Sequence, residues 1–289
     1  MAEQFNIGII GGSGLYQMEA LKDIQEISVD TPFGRPSDHL ITGTLSGQRV
    51  VFIPRHGRGH VLNPSEVPYR ANIYALKLMG VKYVVSVSAV GSLQEAFAPG
   101  HVAIPDQLVD FTKGQRDATF FEKGVVAHVG VADPISPELR GLLAEAVVEA
   151  GGTVHRDGKL ITIEGPRFST RGESNLYRQW GLDIIGMTAC PEAFLAREAE
   201  MAYAIMAHVT DYDVWREGEE AVSAASVFET FHHNLKLAQE ALVKLMPKIA
   251  RLQSAEAHHA LRGARATAPN RIPDDWHDHL APLLKNLLN

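Results

Sequence analysis

The sequence predicts an α/β fold with a substantial central sheet. Short apolar runs rich in β-branched residues alternate along the chain with longer segments of helical period. The 289 residues, 45% of them hydrophobic and 21% charged, have the composition of a globular protein that buries a sizeable core. The predicted strands lie at residues 6–10, 50–54, 83–88, 160–163 and 203–209.

Capping residues and apolar spacing predict the helices between these strands. Ser136 and Pro137 favour a helix start, and Gly151 ends the apolar stripe that follows. Thr170 and Glu173 have the spacing of a capping box, which predicts another helix start. A crossover helix after the second strand is predicted from the apolar residues Val67, Ala71, Ile73, Leu76 and Leu78.

A long amphipathic helix and a shorter extension are predicted toward the C-terminus. Apolar spacing from Val227 to Leu245 marks the long helix, and Pro247 is expected to end or bend it. A linker is expected at 262–273. Because few basic residues follow it, we expect the next apolar stripe to pack on the parent domain or a sister subunit and not on a membrane. This stripe consists of Trp276, Leu280, Leu283, Leu284, Leu287 and Leu288.

Charge and cysteine content narrow the classes of function. A formal net charge of −7 without a long basic run gives little support to binding of nucleic acid or of an anionic membrane. Cys190 is the only cysteine, so there is no intrachain disulfide and no cysteine cluster for zinc or iron–sulfur ligation. The N-terminus lacks a signal-peptide pattern and no apolar run has membrane-spanning length, so a cytoplasmic location is expected.

A glycine-rich loop follows the first predicted strand and can approach an anion closely. Gly11, Gly12 and Gly14 give it a flexible backbone, and Ser13 adds a hydroxyl at the carboxyl end of the strand. Gln17 occupies the place of the third glycine of a dinucleotide fingerprint, and the Gly-Lys-Ser/Thr ending of a Walker loop is missing. Phosphate binding and a plain tight turn both remain open here.

Positive donors are concentrated in a second loop, directly after the strand at 50–54. The forked guanidinium of Arg55 suits phosphate oxygens, and His56 adds an imidazole. A metal site built from His56 and His60 is disfavoured, because the intervening glycines oppose a helix that would align the two rings and no neighbouring carboxylate or cysteine completes a ligand set. We therefore predict no metal, and a solvated basic turn is the alternative to a phosphate site.

Two further strand ends carry groups suited to ligand binding. Ser88 and Ala89 stand where the third predicted strand ends, which is where open α/β sheets usually bind ligands, although strand termination alone also explains them. Asp211 and Asp213 follow the last predicted strand and would share one side of an extended segment. Burial can separate the pKa values of two such carboxyls and divide acid and hydrogen-bonding roles between them, whereas a solvated acidic turn is the alternative.

The segments around 164–169 and 187–188 offer walls for a flat, partly polar ligand. Phe168 supplies an aromatic ring for stacking and Met187 a thioether, while Ser169 and Thr188 supply hydroxyl groups. Taken singly, Phe168 and Met187 are also ordinary core residues.

In combination, these segments closely resemble the methylthioadenosine phosphorylases of the trimeric purine nucleoside phosphorylase family. The strings that carry the resemblance run in a consistent order from about Ile7 to Val227: GIIGGSGLY, DTPFGRPSDH, PRHGRGH, SAVGSL, TIEGPRFSTRGES, GMTACPEA and TDYDVW. The resemblance implies a single phosphorylase catalytic domain at 1–250, with a mixed, partly barrel-like central sheet surrounded by helices, and a helical C-terminal extension at 251–289. It also implies a homotrimer or a larger assembly of trimers.

The resemblance further implies roles for residues of the matching strings. Met187 would lie against the ribose and Phe168 near the purine, while Asp211 would protonate N7 of the leaving base and Asp213 would face its amino group. In the family, aspartate at the position of Asp211 goes with 6-aminopurines and asparagine with 6-oxopurines. Adenine presents an amino donor at C6 and an unprotonated N7, so a protonated carboxyl can donate to N7 while another carboxyl oxygen accepts from the amino group. The residues expected at the phosphate are Ser13, Arg55, His56, Ser88, Ala89 and Thr188.

The reaction implied is phosphorolysis of S-methyl-5′-thioadenosine in purine and methionine salvage, with bound phosphate attacking C1′. Inorganic phosphate is then a co-substrate, and neither a metal nor an organic cofactor is expected. Ser169, Ala224 and Val227 are expected to govern specificity, and His128 is expected to approach the 5′ region of a neighbouring subunit. An apolar 5′ pocket favours methylthio over hydroxyl, but the small side chain of Ala224 leaves room for longer 5′-thio groups.

Three alternatives stay open at this point. A broader adenosine or 6-oxopurine nucleoside phosphorylase is disfavoured in its 6-oxopurine form by Asp211. A hydrolytic nucleosidase is disfavoured by the set of residues expected at the phosphate. A noncatalytic purine-nucleoside-binding protein is disfavoured because recognition alone needs no combination of an acid with a site for a nucleophile.

Overall fold

Eleven strands form one mixed sheet in the described part of the chain. The computed structural model describes residues 5–216 and 223–288, except for the side chains of Ser13 and of 231–233. The strands are β1 Ile7–Gly11, β2 Leu21–Ile27, β3 Leu40–Leu45, β4 Gln48–Pro54, β5 Tyr83–Ser92, β6 Val102–Ala103, β7 Gln107–Phe111, β8 Val154–His155, β9 Lys159–Ile163, β10 Ile184–Gly186 and β11 Ala202–Asp211. The α-helices are α1 Tyr69–Leu78, α2 Pro137–Glu149, α3 Arg171–Gln179, α4 Ala189–Glu198, α5 Ala224–Ile249, α6 Asp274–His279 and α7 Ala281–Leu287.

The sheet mixes parallel and antiparallel pairs and has a branch. Its main path runs β2-β3-β4-β1-β5-β10-β9-β7, while β11 pairs with β5 and β6, and β6 pairs with β8. The β2-β3-β4 meander is antiparallel, whereas β1 lies parallel to both β4 and β5. Helices pack against this sheet, so the predicted α/β class is confirmed, and all five predicted strands occur within four residues of their predicted bounds.

The branch at β5 positions the functional region. β1 pairs with β5 only as far as Ser86, whereas β11 stays paired with β5 through Gly91. At the far end, Gly91 and Ser92 pair with β10. The prediction that the strand ends at Ser88 is therefore wrong. Ser88 and Ala89 lie inside β5, next to the point where β1 stops pairing and the sheet opens.

Both predicted helix caps are confirmed. Ser136 Oγ accepts a hydrogen bond from the backbone N–H of Leu139 at 3.4 Å at the start of α2. At the start of α3, Thr170 Oγ1 accepts from the N–H of Glu173, and the Glu173 carboxylate accepts from the N–H of Thr170. These reciprocal bonds satisfy donors that have no partner within the helix.

Of the two expectations for Pro247, that it ends the long helix or bends it, the first is wrong, because α5 continues for two more residues to Ile249. A proline cannot donate the backbone hydrogen bond that the carbonyl four residues earlier normally accepts. That carbonyl belongs to Val243, and it accepts from Ser46 Oγ at 3.1 Å instead. The serine therefore supplies the hydrogen bond that the proline lacks.

One residue of the predicted crossover helix lies on the wrong face. Tyr69, Ile73 and Leu76 form the buried stripe of α1, but Leu78 is 47% exposed. Leu78 follows Leu76 by two positions, which places it roughly 200° around the helix from that stripe.

The C-terminal extension packs on its own domain. Five of the six residues in the predicted apolar stripe are buried in the main hydrophobic core, and Leu288 is the exception at 36% exposure. Asn286 Nδ2 donates to Glu200 at 2.6 Å, and Tyr74 Oη donates to the carbonyl of His279 at 2.6 Å. The expected linker at 262–273 also packs on the domain, since its residue Ile272 is buried in the hydrophobic core. Within 5–216 and 223–288, no helix has the length and apolarity needed to cross a membrane.

Candidate active site

A cavity of about 550 Å³ opens where the sheet branches. Loops after β1, β4 and β9, the second half of β5, the segment between β10 and α4, the end of β11 and the first turn of α5 all line it. The side chain of Ser13 lies outside the described residues, although its neighbour Gly12 lines the cavity. The predicted residues that the fold brings to this cavity are Arg55, His56, Ser88, Ala89, Phe168, Ser169, Met187, Thr188, Asp211, Asp213, Ala224 and Val227.

Arg55 forms a buried, two-pronged ion pair with Glu192. Its Nε donates to Oε2 at 2.8 Å and its Nη2 to Oε1 at 2.9 Å, and both side chains are at most 3% exposed. Burial alone would lower the pKa of Arg55, but the Glu192 carboxylate beside it holds that pKa above its ordinary value. The guanidinium is therefore charged and fixed in orientation.

Most donors of Arg55 are already used by the protein. Nη2 also donates to Ser86 Oγ at 2.6 Å, and Nη1 donates to the carbonyl of Val87 at 3.1 Å. A guanidinium has five N–H donors, so these described contacts leave one N–H on Nη1 for a ligand in the cavity. The sequence suggested that the Arg55 guanidinium could bind an anion through two N–H groups. In the structure Glu192 takes that two-pronged contact, and Arg55 offers a ligand its positive charge and one N–H donor.

His56 is a neutral imidazole in this environment. Burial, and then the positive charge of Arg55, lower the pKa of His56 to about 4. Nδ1 lies 2.9 Å from the carbonyl oxygen of Leu62, which can only accept, so Nδ1 carries the hydrogen and Nε2 is unprotonated. The ring stacks on that of His60 at 4.2 Å between centroids. Nε2 is thus suited to accept a hydrogen bond from a protonated phosphate oxygen.

Asp211 is held from two sides. Its Oδ1 accepts the backbone N–H of Asp213 at 2.8 Å, and its Oδ2 lies 2.7 Å from the hydroxyl of Thr210. The expected extended segment is wrong, because a register shift interrupts β11 before Asp211 and Asp213 has a positive φ of 51°. Both carboxyls still reach the cavity, because the backbone turns between the two residues and the hydrogen bond from the Asp213 N–H to Asp211 Oδ1 closes this turn.

Asp213 is a buried carboxyl that faces two serine hydroxyls. Burial raises its pKa, and the nearby hydroxyls of Ser174 and Ser169 offset this only in part. Asp213 Oδ2, Ser169 Oγ and Ser174 Oγ are buried and have no partner in regular hydrogen-bond geometry within the described part of the chain, although the two hydroxyls lie close enough to Asp213 to lower its pKa. Buried polar atoms usually have partners, so this group is suited to the polar edge of a ligand. The sequence analysis missed Ser174, which lies on α3.

The segment that carries the two carboxyls is fastened to the end of β5. Trp215 Nε1 donates to the carbonyl of Ser92 at 2.8 Å, and the guanidinium of Arg178 lies over the Trp215 ring at 3.4 Å. Tyr212 is buried and packs edge-on against the same indole. These contacts restrict how far the carboxyls can move.

A second buried arginine, Arg116, holds the segment between β10 and α4 that lines the cavity. Arg116 Nη1 donates to the carbonyls of Met187 and Cys190, at 2.8 and 2.7 Å, on either side of Thr188. Its Nε donates to the carboxylate of Glu164 at 3.0 Å. The backbone that presents Thr188 is therefore fixed by a side chain that the sequence analysis did not single out.

The remaining wall is apolar. Ala224, Val227 and Phe228 line the cavity from the start of α5, and Val61 and His60 line it too, with the His60 ring in edge contact with Phe228 at 5.4 Å between centroids. Phe228 and Val61 are 44% and 71% exposed, which leaves this end of the cavity open. The cavity thus joins an end that carries the Arg55 charge, a pair of carboxyls and an apolar mouth.

The predicted subunit-contact residue His128 is exposed. Its backbone N–H donates to the carbonyl of Ala264 at 2.8 Å, and Val126 and Val131 nearby are 44% and 40% exposed. His128 does not line the cavity of its own chain in the described structure.

Comparison with known proteins agrees with this architecture. The family model of the phosphorylase superfamily matches residues 6–251. A protein named S-methyl-5′-thioadenosine phosphorylase from Chloroflexus aurantiacus is 54% identical and covers 96% of both chains, and one from Geobacter sulfurreducens is 51% identical over 95% of this chain and 96% of its own.

Solved structures of proteins with this name superpose closely. A methylthioadenosine phosphorylase from an antarctic soil metagenomic library has a TM-score of 0.93 and 50% identity, covering 97% of this chain and 99% of its own. The methylthioadenosine phosphorylase from Schistosoma mansoni in complex with adenine has a TM-score of 0.82 and 38% identity, with coverage of 86% and 93%. This chain therefore belongs to the phosphorylase superfamily and, within it, to the S-methyl-5′-thioadenosine phosphorylases.

Proposed function

We propose that this enzyme cleaves S-methyl-5′-thioadenosine with inorganic phosphate, giving adenine and 5-methylthioribose 1-phosphate. The observation that carries the proposal is the composition of one cavity. It joins the Arg55 charge, two carboxyls at Asp211 and Asp213, and an apolar mouth formed by Ala224 and Val227. These three ends match the phosphate, the aminopurine and the methylthio group of the two substrates.

Departure of the base is the difficult part of this reaction. Adenine leaves poorly as an anion, whereas protonation at N7 makes it a neutral leaving group. We assign this proton transfer to Asp211 as general acid, with Asp213 accepting from the amino group of the base. The hydroxyl of Ser169 lies beside Asp213 at the same polar edge, and Phe168 and Met187 enclose the base and the ribose.

Bound phosphate is the nucleophile in this proposal. As the base leaves, C1′ gains positive charge, which phosphate on the opposite face of the ribose stabilises and then attacks with inversion. Arg55, His56, Ser88, the backbone of Ala89 and Thr188 are proposed to hold it, together with Ser13. Because protein groups supply the acid and position a nucleophile that is already anionic, the scheme uses no metal or organic cofactor.

A substrate panel assayed with and without phosphate tests the proposal. We expect cleavage of S-methyl-5′-thioadenosine only when phosphate is present, with formation of the sugar 1-phosphate, and slower cleavage of adenosine, methylthioinosine and inosine. Equal release of base in phosphate-free buffer would identify a hydrolase. Preference for the inosines would overturn the adenine assignment, and tight binding without cleavage would identify a noncatalytic binder.

Gly91 is expected to determine the position of the general acid. A Cβ at this residue would lie 2.9 Å from Asp211 Oδ1 and 3.0 Å from Ile185 Cγ2, so Gly91→Ala must displace the Asp211 carboxyl. Small displacements of catalytic groups are costly, and we expect kcat to fall roughly 10- to 100-fold while the KM for phosphate stays close to that of the wild type.

Gly141→Ala is the matched control for Gly91→Ala. Gly141 lies in α2, and a Cβ there meets nothing within 4 Å. The control should keep its kcat and gain about 0.5–1 kcal/mol in free energy of unfolding, because alanine is the better helix former. Wild-type kcat in Gly91→Ala would show that the carboxyl tolerates displacement and would contradict the prediction.

Ala224→Leu is expected to narrow the 5′ pocket. The added side chain fills space at the apolar wall, so kcat/KM for a 5′-butylthio analogue should fall about 10- to 100-fold relative to that for the methylthio substrate. Ala225→Leu makes the same change at an exposed neighbour outside the cavity lining and should leave the ratio unaltered. An unchanged ratio in Ala224→Leu would place the 5′ group elsewhere.

We further propose that the enzyme acts in the cytoplasm, in purine and methionine salvage, as a homotrimer or an assembly of trimers. Exposed apolar residues at the cavity mouth, Val61 and Phe228, and around His128, Val126 and Val131, support contacts between subunits. His128 would then reach the 5′ region of a neighbouring subunit. Sedimentation velocity distinguishes a trimer from a monomer, and a monomer with full activity would contradict this assembly.

A further inference from the structure

Helix α5 contributes to the apolar wall of the cavity and also contacts the glycine-rich loop whose Gly12 lines the cavity. Its C-terminal half is anchored in the core, where Ala238, Leu242 and Leu245 are fully buried. Its first turn supplies Ala224 and Val227 to the apolar wall. At Leu235 and Gln239, where the anchored half begins, the helix contacts Gly14 of the glycine-rich loop after β1.

Gln239 makes a polar contact between α5 and this loop. Its side-chain amide donates to the carbonyl of Gly14 at 2.8 Å, whereas the backbone N–H of Gln17 reaches the same carbonyl at 3.4 Å. Leu235, one helical turn earlier on the same face, packs so closely on Gly14 that a Cβ there would lie 2.6 Å from Leu235 Cδ2. The hydrogen bond from Gln239 and the packing of Leu235 therefore hold Gly14 against helix α5.

We propose that Gln239 is a positioning residue for phosphate. It holds the Gly14 carbonyl and thereby fixes the loop of Gly12 and Ser13 against the anion-binding end of the cavity. Two turn hydrogen bonds shape the loop internally, from the Leu15 N–H to the Gly12 carbonyl at 3.2 Å and from the Gln17 N–H to the Gly14 carbonyl at 3.4 Å. The Gln239 hydrogen bond ties this turn to helix α5 and so fixes where the turn lies. Gly12 lines the cavity and Gln239 does not, so Gln239 acts through the loop. The inference rests on the proposed function, because it takes phosphate as the ligand of this loop.

The test compares two substitutions of Gln239 with a control on the same turn. Gln239→Met keeps the length of the side chain and removes the donor, so the KM for phosphate should rise about fivefold. Gln239→Glu places a carboxylate against the Gly14 carbonyl and adds negative charge near the anion, so the rise should be roughly twentyfold or more. Glu240→Gln, at an exposed neighbour that pairs with Lys236, should leave the KM for phosphate unchanged.

A positioning role requires that the KM for phosphate rises while the KM for the nucleoside stays nearly constant. The KM for the nucleoside and kcat should stay within about twofold in Gln239→Met, and Tm should change by no more than about 2 °C. Calorimetry with inorganic phosphate alone should show the same loss of affinity, which gives a readout independent of turnover. If Gln239→Glu does not fold, the KM for phosphate of Gln239→Met and its affinity for inorganic phosphate by calorimetry still test the positioning role.

Two results would overturn the inference. One is an unchanged KM for phosphate in both variants, and the other is a parallel rise of both KM values together with a lower Tm, which would make the contact merely structural. Failure of the proposed function is a separate outcome, because it would already show as phosphate-independent cleavage by the unsubstituted enzyme.

Discussion

Replacing Asp211 by asparagine is expected to lower kcat for S-methyl-5′-thioadenosine by about 10²–10³-fold, the contribution typical of a general acid. The amide keeps the shape of the side chain and can still accept from the N–H of Asp213, which donates to Asp211 Oδ1 at 2.8 Å. It cannot deliver a proton to N7. The affinity for phosphate should stay close to that of the unsubstituted enzyme, since Asp211 is not among the residues proposed to hold the anion.

The 7-deaza analogue of the substrate checks the same assignment from the side of the ligand. Carbon replaces N7 in this compound, so the general acid has no nitrogen to protonate, and the unsubstituted enzyme should bind it but not cleave it. Asp211→Asn should bind the natural substrate but cleave it slowly. The variant should also lose part of its preference for adenine nucleosides over 6-oxopurine nucleosides. Turnover in Asp211→Asn equal to that of the unsubstituted enzyme would remove Asp211 from the acid role.

Much of the cavity could be predicted because its chemistry lies within a few residues of a strand. Arg55 and His56 follow β4 directly, and Asp211 is the last residue of β11, so the end of each strand indicates where the side chain will lie. The branch at β5 could not be predicted. Hydrophobic periodicity identifies a strand but not its partners, and β5 takes its neighbours from three distant parts of the chain.

The residues that hold the functional side chains in place were the least predictable. Glu192 is 137 residues from its partner Arg55, and Arg116 reaches across 74 residues to Cys190. Glu192 stands in an apolar stretch of α4, and this was the available signal, because a carboxylate is almost never fully buried unless it is paired. That signal predicts that a partner exists but does not identify the partner.

Substitutions of Arg55 and Glu192 are expected to separate the stabilising role of this ion pair from its proposed catalytic role. Glu192→Leu leaves a guanidinium buried without its counter-charge, so the free energy of unfolding should fall by about 3–5 kcal/mol. Arg55→Met should destabilise for the converse reason. It should also lower kcat/KM for phosphate roughly a hundredfold, the loss expected for one charge-assisted hydrogen bond. Urea denaturation measures the first effect and phosphorolysis kinetics the second.

The double variant Arg55→Met/Glu192→Leu then decides between the two roles. Replacing both members of a buried pair by apolar side chains often restores stability, so the double variant should be markedly more stable than either single variant. Recovery should be incomplete, because Tyr203 Oη now donates to Glu192 at 2.8 Å and would lose that acceptor. Phosphorolysis should remain as weak as in Arg55→Met. Recovery of activity together with stability would show that Arg55 acts only as a structural partner of Glu192, and the phosphate would then be held by the other groups of the cavity.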